Sequence, residues 1–127
     1  MFPLKILDYF RALPRPLRLG AYGLAVSIVL YLCLAPTKNV PGADLIWDKA
    51  AHAITWAILA GSGYVLTPRR RTSITIFALG LGAAIEVAQS TMGFGRQGDW
   101  RDFAADSLGV AAALAAYLLA RRIWKPQ

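Results

Sequence analysis

A chain of 127 residues gives room for one domain, and its 57% apolar content with a mean hydropathy of +0.46 exceeds what a soluble fold can cover with charge. The net charge of +7 does not describe a nucleic-acid surface, because the basic residues fall in short groups between apolar runs and do not interleave with aromatics. Nucleic acid is excluded as a partner, and the single cysteine, Cys33, excludes an intramolecular disulfide.

Residues 2–13 place Lys5, Asp8 and Arg11 three apart and leave Phe2, Leu4, Ile6, Leu7, Phe10 and Leu13 on the remaining face. That is the pattern of a short amphipathic helix lying in a membrane interface, ended by Pro14 and Pro16. Four apolar stretches follow, at 17–35, 50–66, 73–91 and 103–120, each within the roughly 17 to 25 residues that cross hydrocarbon as a helix. None shows the period-two alternation of a barrel strand, and backbone groups in lipid must pair internally. The expectation is one all-α domain over residues 1–127, an integral membrane four-helix bundle preceded by the interfacial helix. Cys33-Leu34-Ala35 has the small-x-small spacing of a signal-peptidase site, but Pro36 directly after it and Leu32 before the cysteine oppose processing. The first stretch is therefore expected to stay as a span.

Basic residues set the direction. Lys5, Arg11, Arg15, Arg18, Arg69, Arg70, Arg71, Arg121, Arg122 and Lys125 fall on one side, against Lys38, Lys49, Arg96 and Arg101 on the other. Ten against four makes the first side cytoplasmic, with both termini inside and outer loops at 36–49 and 92–102. Trp47, Trp100 and Trp124 lie near span ends, where interfacial aromatics belong. Small residues recur every four positions as Ala53, Ala57 and Gly61, as Gly80, Ala84 and Ala88, and as Ala105, Gly109 and Ala113. Such stripes allow close helix approach in lipid.

Six of the seven acidic residues, Asp44, Asp48, Glu86, Asp99, Asp102 and Asp106, lie on the outer half. At ~1.5 Å per residue, Glu86 is about 8 Å inside the third span and Asp106 about 5 Å inside the fourth. Asp48 and His52 are i and i+4, so the carboxylate is placed to orient the imidazole. Glu86 and Gln89 share a face, as do Asp102 and Asp106. Asp44 and Asp99 read as helix caps. Glu86 is placed at the helix end that disfavours an anion, inside an apolar run, where a charge costs at least ~2.5 kcal/mol without a partner. Gly93-Phe94-Gly95-Arg96-Gln97-Gly98 spells G-x-G-x-x-G but follows an apolar helix with no βαβ unit around it, so it reads as a loop folding back over the acidic cluster. No paired-cysteine spacing, Walker loop or Ser-His-Asp order occurs, and no cofactor is expected.

Asp48-Lys49-x-x-His52, Glu86-x-x-Gln89, Gly95-Arg96 followed by Asp102, and Asp106-x-x-Gly109 together resemble the VanZ-like family, over residues 48–120. Asp106 departs from the family, which usually carries Asn at that position. The resemblance implies a bacterial cytoplasmic-membrane protein of the cell envelope, linked in some members to reduced susceptibility to lipoglycopeptides such as teicoplanin; it brings no settled activity. The leading expectation is a site on the outer side for the polar head of a lipid or lipid-linked envelope precursor, with Lys49, Arg96 and Arg101 on phosphate, Asp102 and Gln89 in the lining, and Glu86, His52 and Asp48 on hydroxyl or amide groups. The alternative is a membrane-embedded enzyme acting on a lipid phosphate or ester, with His52 as base, Asp48 polarising it and Glu86 or Asp106 as acid. A divalent metal on Asp48, His52, Glu86 and Asp102 is the variant of that alternative, although the spacing matches no diagnostic motif.

Overall fold

The prolines near the N-terminus start one helix as they end another. In the computed structural model, which describes residues 2–36, 47–93 and 97–123 with the side chains of the first helix from Leu7 onward, five helices occur: α1 (Phe2–Ala12), α2 (Arg15–Leu34), α3 (Asp48–Leu66), α4 (Arg71–Met92) and α5 (Trp100–Ile123). Pro14 caps α2 and Pro16 sits in its first turn, where a missing N–H costs no intrahelical bond. Lys38, Asp44, Arg96, Trp124 and Lys125 lie outside the described residues.

The described chain is all-helical, and α2, α4 and α5 are long and apolar enough to cross a membrane. Leu24 and Ile28 of α2, Ile76 and Val87 of α4, and Leu108 and Leu119 of α5 are each more than half exposed. So many bare aliphatic side chains on long helices suit a hydrocarbon surround better than water. The remaining long helix, α3, carries Asp48, Lys49 and His52 in its first two turns and lies between the others, touching α1, α2, α4 and α5. Its Trp56, Leu59, Ala60 and Tyr64 are almost completely enclosed.

Close approach of α3 and α5 runs through the stripes read from the sequence. A Cβ added at Gly109 would overlap the carbonyl of Ala53, and one at Gly61 would reach the Ala113 methyl at 4.0 Å. The stripe on α4 is on a different face from the one expected. A methyl added at Gly80 would have no neighbour within 4 Å and Ala84 is exposed, whereas Ala78 and Gly82 are buried. The cause is helix rotation: two residues turn the face by about 200°, and Ile74, Ile85 and Gln89 fix the inward side on the line of Ala78 and Gly82. Tyr64 exchanges a 2.7 Å hydrogen bond with Thr75 and rests its ring 5.5 Å from that of Tyr117, tying α3 to α4 and α5.

Candidate functional site

Because successive long helices run in alternating directions, α3 and α5 begin where α2 and α4 finish. That end gathers the polar residues. Lys49 of α3 donates to Asp102 of α5, to Asp99 at 3.2 Å and to its neighbour Asp48 at 3.3 Å. One turn deeper, His52 donates from Nδ1 to Oδ1 of Asp106 at 2.7 Å, while its Nε2 stands 3.7 Å from Oδ2 of Asp102. Asp106 is fully enclosed and Asp102 is 6% exposed.

The orienting carboxylate for His52 is therefore Asp106, two helices away in sequence, and not Asp48 as the i, i+4 spacing suggests. Asp48 is the exposed partner of Lys49. The contact exists because Gly109 lets α5 settle against Ala53, one residue after His52, which sets the register of the two helices. Trp56, one turn after His52, does not stand out in the sequence; its indole lies 6.1 Å from the imidazole at 21° and donates to the Ala78 carbonyl at 2.8 Å. A tryptophan at i+4 from the only histidine is the available signal, but in an apolar helix it reads as filling.

Glu86 has a backbone partner that offsets its position near a helix C-terminus. The N–H of Asp99 donates to its Oε2 at 2.7 Å. The segment before α5 thus returns over α4, and it comes so close at Gly98 that a Cβ there would meet the Ser90 hydroxyl and, at 2.7 Å, the Glu86 carbonyl. Gly93 makes the departure from α4 with φ at 71°, a value that strains any residue with a side chain. Oε1 of Glu86 and Oδ2 of Asp106 have no hydrogen-bond partner among the described residues, and the second faces the α4 backbone at Gly82.

Two expected lining residues are elsewhere. Gln89 donates to the Cys33 carbonyl at 2.8 Å and binds α4 to α2. The Arg101 guanidinium lies over the Trp100 ring at 5.8 Å, outside the cluster, and only its backbone N–H enters, donating to Asp99 at 2.9 Å. That bond makes Asp99 the cap of α5, as its sequence position suggests. Arg96 lies outside the described residues.

The Arg101 N–H, and then Lys49, hold the Asp99 carboxyl below its ordinary value. A group with a depressed folded pKa stabilises above its unfolded value and loses that contribution as pH falls through the folded one. The apparent melting temperature of the detergent-solubilised chain should therefore drop as pH falls below about 4, and Asp99→Asn should flatten that acid limb. An unchanged limb in the variant would remove Asp99 from the account.

Among the described residues, Asp48, Asp99, Asp102, Asp106 and Glu86 gather around one lysine and one histidine, so acceptors outnumber donors there. Such a site suits a ligand that brings hydrogen-bond donors or positive charge. Two overlapping triads, Asp48 with His52 and Asp102, and His52 with Glu86 and Asp106, each hold three ligand atoms within 4.8 Å of one another. Comparison of the chain with protein-family models, with curated proteins and with solved structures finds no match.

Proposed function

We propose that this is a VanZ-like multi-pass protein of a bacterial cytoplasmic membrane, with four spans and both termini in the cytoplasm, whose acidic end binds the polar head of a lipid or lipid-linked envelope precursor. The observation that carries the reading is the buried Oε1 of Glu86, unpartnered among the described residues, beside the buried carboxylates of Asp102 and Asp106. The head group is bound through hydroxyl, amide or ammonium donors. Any phosphate contact falls to Arg96, which lies outside the described residues, since the ammonium of Lys49 already serves three carboxylates and Arg101 turns outward. Orientation follows from the ten basic residues on one side. Any effect on teicoplanin susceptibility follows from occupancy of this site.

The test is native mass spectrometry of the full chain after mild detergent extraction. A co-purifying lipid with a sugar, amide or amine head is expected on the wild type, reduced about ten-fold on Glu86→Gln. Bulk lipids alone, equal in both proteins, overturn the reading.

One contact favours a second reading. With Nδ1–H committed to Asp106, a neutral His52 presents its Nε2 lone pair toward Asp102, the carboxylate–imidazole arrangement that orients a metal ligand or a base. On this reading a divalent ion sits on Asp48, His52 and Asp102 and assists attack on a lipid phosphate or ester. Manganese or zinc binding that is lost on His52→Ala and reversed by a chelator would replace the head-group reading with this one.

A further inference from the structure

At the opposite end of the bundle a cavity of about 720 Å³ is lined by Arg11, Arg15, Arg18, Arg69, Arg70 and Arg121, with no acidic residue among the described residues of its wall. The nearest described carboxylate, Asp8, is exposed and sits 3.6 Å from Arg11 alone. Two long helices begin here, and neither start is neutralised. α2 and α4 have no side-chain cap and no acid in the first turn, and each opens on arginine. A helix start carries partial positive charge and bare N–H groups, so arginines placed there add to a field they would ordinarily avoid. Arg18 is pinned, donating from Nε to the Leu13 carbonyl at 3.1 Å and from Nη1 to the Leu66 carbonyl at 2.9 Å. These bonds fix one guanidinium at the junction of α1, α2 and α3 before any ligand arrives.

Six guanidiniums around one space, two bare helix starts and a single exposed described carboxylate, Asp8 on Arg11, call for an anion that takes several forked donors at once. We propose that this cavity is a binding site for a phosphate-bearing polyanion, either the head of an anionic phospholipid or a free diphosphate. Its geometry is independent of the acidic cluster; only its assignment to the cytoplasmic side rests on the orientation proposed above.

The experiment uses the full chain in neutral detergent, with phosphatidylglycerol against phosphatidylcholine as one pair of probes and sodium pyrophosphate against sodium sulfate as the other. Binding is read by native mass spectrometry and by the shift in melting temperature. Arg15→Gln with Arg70→Gln is expected to weaken the preferred probe about ten-fold, or about 1.4 kcal/mol, while Arg101→Gln, which removes a charge at the opposite end of the bundle, leaves it unchanged. Arg69→Gln alone serves if the double variant does not fold, with a smaller loss expected. Preference for phosphatidylglycerol identifies a lipid head; preference for pyrophosphate identifies a soluble ligand. Equal losses in cavity and control variants, or no binding of either phosphate probe, overturn the proposal.

Discussion

Alanine at Gly109 is expected to destabilise the bundle by about 3 kcal/mol, the upper part of the range for overpacking, and leucine there to prevent folding. The reason is that the added Cβ meets backbone and not a movable side chain: the Ala53 carbonyl directly, and the Ala57 nitrogen at 3.0 Å. No rotamer relieves this. α5 must move away from α3, and the contacts that depend on their register, Lys49 with Asp102 and His52 with Asp106, go with it. Gly80→Ala is the internal control, because nothing lies within 4 Å of the new methyl; there the helix propensity of alanine should add up to about 1 kcal/mol. Unfolding of both variants in mixed micelles by increasing sodium dodecyl sulfate decides the matter. Similar midpoints for the two would mean that α3 and α5 pack less closely than this contact requires.

Lys49→Met should cost about 3 kcal/mol in the same assay, because it leaves the enclosed Asp102 carboxylate without its lysine and removes the ammonium shared by Asp48, Asp99 and Asp102. Removing both partners has a different outcome. With Asp102→Leu added, the carboxylates left without the lysine are the more exposed Asp48 and Asp99 and an apolar pair replaces the enclosed one, so most of the loss should return. The double-mutant cycle separates an ion pair that stabilises from one that merely must not be broken. If Lys49→Met alone is neutral, the lysine contributes position and charge but little stability.

Much of this arrangement can be read along the chain, and the part that cannot has a common physical cause. Helix ends fall within three residues of the expected spans, since prolines, glycines and charge groups punctuate the apolar runs locally. Asp99 as a cap and Glu86 as a residue in need of a partner are also local inferences. The partner of His52 is not local. Asp48 satisfies the i, i+4 rule, but Asp106 wins because the Gly109–Ala53 approach, a contact between helices, sets the register. Rotation about the helix axis misleads in the same way for Gly80 and Ala84, which the stripe rule favours and which face outward. Arg101 counts as a cation of the site when only its place in the chain is considered, whereas its side chain stacks on Trp100. The six cavity arginines are each visible as charge, but their convergence depends on how α1, α2, α4 and α5 meet.

The bundle is electrically lopsided, with guanidiniums crowded at one pole and carboxylates at the other. In the orientation proposed above, a respiring cell's voltage, negative within, pulls on both poles in the seated direction. Turning the molecule over would drag charge against that field at about 2.3 kcal/mol for each elementary charge per 100 mV. In the proposed orientation the charge asymmetry therefore holds each pole on its own side of the membrane.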